Sequence, residues 1–313
     1  MVNPMMSYLK PFVLVLFCLV GLTNAQTTET PAKPVSEAKQ DDVAKPAMEQ
    51  QISAIVQPYL DAKFVNGVSI GVTVDGRDSF YNFGLAAEDG KCPTNETIYE
   101  IGSMSKVFTG ILLADSVNRD KVRLDQKIGS LIEGLEDESP DIAAVTLQQL
   151  SNHVSGLPRM PGNLRPPNAK DPFADYGREQ MVAFLEETVL LWEPGSKHQY
   201  SNLAVGLLGD LMAKVNEESY QDLMVEVIAK PLNMTDTVVV VPESKMDRFA
   251  EPHLVSGAKG ERWAFDALVG AGGIRSTTKD MVGFLHANLD PADDSLGRAM
   301  ELAHRVHLKQ GTG

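Results

Sequence analysis

The chain has 313 residues, of which 43% are hydrophobic and 22% are charged, so it is long enough to bury a core in one large or two small domains. Its formal net charge of −14 argues against a nucleic-acid partner, because phosphate binding needs a basic surface. The six histidines form no His-Glu-x-x-His motif, and the sequence implies neither a metal nor another cofactor.

The first 25 residues have the layout of a secretory signal peptide. A short region with Lys10 precedes the apolar run PFVLVLFCLVGL, and the small residue Ala25 is a suitable end for the leader. The run is short for a membrane-spanning helix, which needs about 20 apolar residues, although an uncleaved anchor is the alternative. We therefore predict a periplasmic or secreted protein without a stable membrane span after cleavage. Cys92 is then the only cysteine, which excludes an intramolecular disulfide.

The next segment, residues 26–47, is rich in proline, alanine, threonine and charge, and predicts a flexible spacer. A folded domain is predicted over 48–313, starting with a helical pattern from Met48 to about Lys63. Residues 67–90 then alternate apolar and polar side chains about Asp75-Gly76, which predicts a β-hairpin.

The rest of the chain is largely helical in pattern. Apolar residues recur at helical spacing over 103–120, 141–152, 178–190, 202–216, 218–229, 280–289 and 295–308. The run TDTVVVVP at 235–242 predicts a short strand. A two-stranded hairpin is marginal in stability by itself, so further strands are expected but do not follow in the sequence.

The stretch IGSMSKVFTG contains a Ser-x-x-Lys motif at the start of an apolar helical pattern. Lys106 is one helical turn beyond Ser103 and projects from the same face, within hydrogen-bonding reach. A buried lysine has a lowered pKa and can take the proton of a nucleophilic serine. The alternative is that Ser103 merely caps the helix. The motif is weak by itself, since it also occurs at Ser36–Lys39 and Ser276–Lys279.

A second serine motif, Gly67-x-Ser69-x-Gly71, matches the G-x-S-x-G nucleophile elbow. That elbow requires a sharp turn from a strand into a helix, whereas this stretch continues as a strand into the Asp75-Gly76 turn. We therefore interpret Ser69 as an ordinary strand residue.

The only Tyr-x-Asn in the chain, Tyr200-Ser201-Asn202, also begins an apolar helix. A tyrosine hydroxyl beside Lys106 is suited to move a proton between nucleophile, leaving group and water. The Asn202 amide is suited to bind a substrate amide or to hold Lys106. A helix-capping loop is the alternative.

Four blocks together resemble the serine β-lactamase-related family, which contains class C β-lactamases, D-Ala-D-Ala carboxypeptidases and esterases. The blocks are IGSMSKVFTG, LQQLSNHVSGLP, WEPGSKHQYSNLAVGLLGDLM and GAGGIRSTTKDMVGFLHANL. The resemblance implies an α+β fold, with an antiparallel sheet flanked by helices and an inserted all-helical subdomain. It also implies that Ser103 is the nucleophile, that Lys106 and Tyr200 move protons and that Asn202 binds substrate, whereas His153, Gly156 and Gly272-Gly273 are structural.

The family's third motif, Lys or His followed by x-Gly, is expected on a strand that gives the oxyanion hole one of its two N–H donors, the other being that of Ser103. The loss of such a donor typically costs about 10²–10³ in rate. Lys309-Gln310-Gly311 fits the motif formally, but no strand pattern surrounds it and the sequence ends at Gly313. The sequence thus resembles a family member whose C-terminal strands are missing.

Two functions therefore remain open at the level of sequence. One is an exported serine hydrolase that acts through an acyl-enzyme on a β-lactam, a D-Ala-D-Ala peptide of peptidoglycan origin or a small ester. The other is a catalytically impaired fragment or a non-catalytic ligand-binding remnant of the same family. The proline-rich loop RMPGNLRPPNAKDPFADYGRE either borders the substrate pocket or is a plain surface loop. The sequence indicates nothing about the oligomeric state.

Overall fold

The computed structural model of the protein describes residues 38–254 and 256–305. The predicted signal peptide, the first part of the spacer and the Lys309-Gln310-Gly311 triplet lie outside these residues. Helices and short strands alternate along the chain. The α-helices are Ala38–Asp61 (α1), Ser105–Asn118 (α2), Leu135–Glu138 (α3), Pro140–Ala143 (α4), Leu147–Ser151 (α5), Arg178–Glu187 (α6), Asn202–Asn216 (α7), Tyr220–Met224 (α8), Val269–Gly272 (α9), Thr278–Leu289 (α10) and Ser295–His304 (α11). The strands are Gly67–Val74 (β1), Arg77–Gly84 (β2), Ile98–Glu100 (β3) and Arg275–Thr277 (β4).

The N-terminal hairpin confirms the prediction made from alternation. Strands β1 and β2 pair in antiparallel register, with Val74 opposite Arg77 at the turn. The two turn residues, Asp75 and Gly76, have φ values of 51° and 74°, as a tight hairpin with the natural strand twist requires. Ser69 lies within β1, and its hydroxyl is 2.9 Å from that of Tyr99, so it is a strand residue as interpreted.

The second sheet was not predicted from the sequence. Strands β3 and β4, which are far apart in the chain, pair antiparallel, and within the described residues they form a two-stranded sheet separate from the β1–β2 hairpin. The predicted strand at 235–242 is wrong, because only Val238 forms a bridge, with Arg275. The backbone N–H groups of Val239 and Val240 donate instead to the side-chain oxygen of Gln221, which removes them from any ladder.

Two predicted helices also differ from the pattern. Helix α1 begins at Ala38, so the last part of the predicted spacer is helical, in keeping with its content of Ala, Lys and Gln, which have high helix propensity. The predicted helix 141–152 is two helices, because Thr146 caps α5 in a reciprocal capping box with Gln149. Within the part of the chain that the structure describes, no helix is both long and apolar enough to cross a membrane.

The main core surrounds helix α2, which packs against α7, α9 and α11. Phe108, Ile111 and Leu112 of α2 are fully buried, and Leu207 and Leu211 of α7 meet them in one apolar cluster. Burial of this kind contributes about 25 cal/mol for each Å² of apolar surface, so the cluster is the main source of stability. The mixture of helices and antiparallel strands confirms the α+β class. The N-terminal end of α2 is thereby held firmly at the surface.

Candidate active site

Ser103 lies on a tight turn at the entry to the buried helix. The turn is a 3₁₀ segment, Gly102–Met104, and helix α2 begins only at Ser105. Gly102 adopts φ of 52°, a left-handed conformation that glycine accepts at no steric cost. Neither this turn nor α2 has a side-chain cap, so the Ser103 hydroxyl does not cap the helix. It is exposed and available for other partners.

The hydroxyl of Ser103 meets the two groups that the motifs suggested. Its Oγ lies 2.7 Å from Oη of Tyr200, and Nζ of Lys106 donates to it at 3.3 Å. The three residues come from the start of α2 and from the loop before α7, 97 positions apart in sequence. A hydroxyl within hydrogen-bonding distance of both an amine and a phenol is the arrangement that an activated serine nucleophile needs.

Lys106 is held in a polar but poorly solvated position. Its Nζ donates to the backbone carbonyl of Ala271 at 2.5 Å and lies 4.9 Å from the centre of the Tyr200 ring. Burial is the main influence on the pKa of Lys106 and lowers it, and the positive charge of Arg159 lowers it further, while Tyr200 opposes both. A lysine of lowered pKa has more of the neutral amine that accepts a proton from serine.

Close contact between two helices brings the Ala271 carbonyl to Lys106. Helix α9 packs on α7 where Gly209 faces Gly270, and a Cβ added to Gly209 would lie only 2.9 Å from the Cα of Gly270. Such close approach is possible because both residues lack a side chain. The GAGG block, expected only to be structural, therefore also contributes a carbonyl to the site. A backbone acceptor of this kind leaves no sequence signal.

Contacts with His153, in the LSNHVSGLP block, hold Tyr200 in position. The backbone N–H of Gln199 donates to the carbonyl of His153 at 2.7 Å, and that of Ser201 donates to His153 Nδ1 at 3.1 Å. The His153 ring also packs on the Tyr200 ring, with 4.6 Å between their centres. Ser201 caps α7 by accepting from the N–H of Ala204. Hydrogen bonds thus fix the residues on both sides of Tyr200, Gln199 and Ser201.

His153 supports the Tyr200 segment as a neutral hydrogen-bond acceptor. Burial first, then the charges of Lys106 and His198, lower its pKa from 6.5 to about 4. The neutral imidazole therefore accepts the Ser201 hydrogen bond through the physiological range. Its φ of 58° is unusual for a residue other than glycine. In the sequence, only the position of His153 within the block LQQLSNHVSGLP drew attention to it.

Asn202 is not in contact with the other three residues. Its backbone N–H donates to the carbonyl of Arg159, and its side-chain amide lies 3.3 Å from the sulfur of Met160. The described contacts include no hydrogen bond from its amide to Ser103, Lys106 or Tyr200. A role in holding Lys106 therefore has no support in the geometry, and a role in substrate binding stays a prediction.

Part of the proline-rich loop packs beside the site. Phe173 in this loop stacks on Phe265 at 5.0 Å between ring centres, and Trp263 donates from its indole N–H to the carbonyl of Lys170. The Phe265 ring lies within 3.7 Å of the place where a Cβ of Gly272 would be, beside the turn that carries Ser103. The loop and the 263–265 segment therefore form one wall near the nucleophile.

Comparison with known proteins identifies the family. The Beta-lactamase family model matches residues 52–313. The chain belongs to the beta-lactamase family. It is 27% identical over 275 residues to a beta-lactamase of Pseudomonas fluorescens, with 84% of this chain and 73% of the relative covered. It is 28% identical over 278 residues to a beta-lactamase of Escherichia coli K12, with coverage of 85% and 69%.

Solved structures agree with the family and the fold. A class C beta-lactamase from Rhodobacter sphaeroides is similar, with a TM-score of 0.70 at 28% identity over 80% of this chain and 68% of that one. The D-alanine carboxypeptidase AmpC from Burkholderia cenocepacia is also similar, with a TM-score of 0.70 at 25% identity over 84% and 69%. Membership of the beta-lactamase family supports a serine hydrolase of the β-lactam or D-Ala-D-Ala type.

Proposed function

We propose that the chain is an exported serine hydrolase that forms an acyl-enzyme at Ser103 on a β-lactam, a D-Ala-D-Ala peptide or a small ester. The observation that carries this proposal is the contact of one exposed hydroxyl with both Lys106 and Tyr200, at 3.3 and 2.7 Å. The lowered pKa of Lys106 favours the same chemistry. Family membership and the carboxypeptidase neighbour also support it.

The proposed reaction has two steps. In acylation, Oγ of Ser103 forms a bond to the substrate carbonyl carbon while its proton passes to Nζ of Lys106. The bond to the leaving group breaks, and Tyr200 delivers a proton to the departing nitrogen or oxygen. In deacylation, water attacks the ester and its proton returns to Ser103 Oγ through the same residues. Within this scheme the N–H of Ser103 stabilises the oxyanion and Asn202 binds a substrate amide.

The place of action follows from the predicted leader. A signal peptide over residues 1–25 would deliver the enzyme to the periplasm or the medium, where peptidoglycan fragments and β-lactams are accessible. N-terminal sequencing of protein recovered from the extracytoplasmic fraction is expected to begin at Gln26. A mature protein that starts at Met1 would contradict export by cleavage.

The test of the reaction is intact-protein mass spectrometry after incubation with a fluorescent penicillin and, separately, with a p-nitrophenyl ester. A single covalent adduct is expected on the wild-type chain and is expected to disappear in Ser103→Ala. Ser69→Ala is the matched control, because Ser69 belongs to the rival serine motif but lies within β1. Its adduct is expected to equal that of the wild type.

The alternative function predicts a different outcome. A ligand-binding chain without catalytic competence would retain the fluorescent penicillin in equilibrium binding but give no covalent adduct from either probe. An adduct that persists in Ser103→Ala would show that another group is acylated, and the proposed nucleophile would be wrong.

A further inference from the structure

Arg159 is an exposed cation at the rim of the candidate site. Its guanidinium carbon lies 4.9 Å from the centre of the Tyr200 ring, whose hydroxyl contacts Ser103. The residue begins the proline-rich loop, directly after the LSNHVSGLP block. It therefore lies next to the reacting hydroxyl without being part of the proton-transfer group.

The backbone of Arg159 is tied to the helix that Tyr200 precedes. The N–H groups of Asn202 and Leu203 both donate to its carbonyl, at 2.9 and 3.4 Å. The preceding carbonyl, of Pro158, accepts from the Ser201 hydroxyl at 2.6 Å. The backbone of Arg159 is thereby held in a fixed place relative to Tyr200, and the contact of its guanidinium with the Tyr200 ring places the tip of the side chain.

The donors of Arg159 have no partner among the described residues, which is unusual for this loop. The described contacts give its guanidinium no hydrogen bond and no ion pair, only the contact with the Tyr200 ring. By contrast, Arg165 donates to the carbonyls of Gly162 and Leu164, and Arg178 pairs with Asp210. Because arginine carries five N–H donors in a planar fork, Arg159 retains donors that can serve a ligand.

The charges around Tyr200 favour an anion. Lys106, His153 and Arg159 face its ring, and no carboxylate does so among the described ring and ion-pair contacts. Arginine keeps its charge at every accessible pH, whereas a buried lysine or histidine does not. The net charge of the chain is −14, so a positively charged rim differs from the rest of the molecule and attracts a negative group.

We propose that Arg159 is a specificity-determining residue that binds a carboxylate of the acyl donor and so makes the enzyme prefer carboxylate-bearing donors to neutral ones. The inference rests on the proposed function, since it assigns a substrate class to the same site. A guanidinium and a carboxylate form two parallel charge-assisted hydrogen bonds, which fix orientation as well as affinity. Neutral esters lack that anchor.

The test compares two probes that differ only in the carboxylate. One is the fluorescent penicillin and the other is its methyl ester, with second-order acylation rates read by mass spectrometry. Arg159→Gln keeps polarity and much of the length but removes the charge. It is expected to slow acylation by the free acid about 10- to 100-fold relative to acylation by the ester, as the loss of a charged hydrogen bond does. Loss of the Arg159 charge also acts on the pKa of Lys106, and that effect is common to both probes. Arg165→Gln, in the same loop, is expected to change neither rate.

The outcomes separate the inference from the proposed function. Equal slowing of both probes in Arg159→Gln would mean that Arg159 acts through Tyr200, and an unchanged ratio of the two rates overturns the carboxylate assignment. If the wild-type chain is acylated neither by these two probes nor by the p-nitrophenyl ester, the proposed function fails, and binding decides the inference. Fluorescence anisotropy with the free acid would then compare Ser103→Ala with Ser103→Ala/Arg159→Gln. Weaker binding in the double variant supports the carboxylate site, and equal binding overturns it.

Discussion

Lys106 combines two requirements that oppose each other in water. In the proposed reaction it must be neutral to take a proton from Ser103, yet its amine needs polar neighbours to stay in place. The structure meets both with the Ala271 carbonyl as an acceptor and with burial that lowers the pKa of the amine. Lys279, at the same spacing after Ser276, is exposed and pairs with the carboxylate of Glu96, which raises the pKa of its amine. The surroundings, and not the motif, distinguish the two pairs.

The first prediction concerns the pH dependence of acylation. The rate of adduct formation is expected to rise with pH as Lys106 loses its proton, with a midpoint below the ordinary lysine value of 10.5. Lys106→Arg keeps a permanent charge, so it is expected to lose this rise and to react about 10²–10⁴-fold more slowly. The measurement is the rate of labelling by the fluorescent penicillin from pH 5 to 10. A rise that persists in Lys106→Arg would assign the proton transfer to another group.

The second prediction concerns His153. Its pKa is lowered to about 4 in the folded protein and returns to 6.5 on unfolding, so the unfolded chain binds more protons between these values. The free energy of unfolding therefore rises with pH in this window, and the contribution of His153 is fully present above pH 6.5 and lost as pH falls towards 4. The partial exposure of the ring reduces the effect below that of a fully buried group.

His153→Gln tests this assignment by denaturant titration between pH 4 and 7. The variant is expected to flatten the pH dependence of the unfolding free energy relative to wild type. His304→Gln is a suitable control, because His304 is an exposed histidine whose ring contacts Asn288 and not His153. An unchanged slope in His153→Gln would assign the dependence to other groups.

At the scale of elements, the segment that carries Tyr200 is fixed by close backbone contacts. Gly156 has φ of 78°, and its carbonyl accepts from the N–H of Leu191 at 2.8 Å. A Cβ at this position would overlap the carbonyl oxygen of Trp192. The backbone at Gly156 and the backbone at 191–192 therefore approach each other as closely as a glycine allows.

The third prediction follows from that contact. Gly156→Ala is expected to lower the free energy of unfolding by more than about 2 kcal/mol, because it adds an overlap to the cost of a left-handed alanine. Gly90→Ala is the matched control, since Gly90 has φ of 89° but open space around it. Only the backbone cost of about 1–2 kcal/mol is expected there. Urea titration followed by circular dichroism measures both, and equal losses would contradict the overlap.

The sequence predicted elements whose signal is local. The β1–β2 hairpin was identified because the turn at Asp75-Gly76 and the alternating pattern agree. The strand predicted at 235–242 fails because a distant side chain, Gln221, takes its N–H groups. Strands β3 and β4 have three residues each, too few for a periodic pattern, and their pairing depends on contacts across the fold.

The same distinction applies to the candidate site. Ser103, Lys106 and Tyr200 were singled out by motif, and the structure brings them together. Asn202 was singled out in the same way, yet its amide turns towards Met160. The Ala271 carbonyl has no side-chain signal, and Arg159 becomes notable only when its position over the Tyr200 ring is known.

At the scale of the whole molecule, the site depends on elements that are far apart in sequence but share one core. Ser103 and Lys106 belong to the start of α2, Tyr200 precedes α7, and Ala271 lies in α9. One apolar cluster joins these helices, with Phe108 of α2, Leu207 of α7 and Val269 of α9 among its members. Loss of any one helix from the cluster would therefore remove part of the site.

The last prediction is that the site and the core unfold together. Trp192 lies beside the Gly156 contact and Lys197, in the segment that leads to Tyr200, so its fluorescence reports on this part of the site. In a Trp263→Phe variant, Trp192 is the only tryptophan that remains. Urea unfolding followed by its fluorescence and by far-ultraviolet circular dichroism is expected to give the same midpoint, as a cooperative unit requires. An earlier fluorescence transition would mean that the Tyr200 segment opens before the α2–α7–α9 core, and that the contacts of the candidate site are less stable than the fold that carries them.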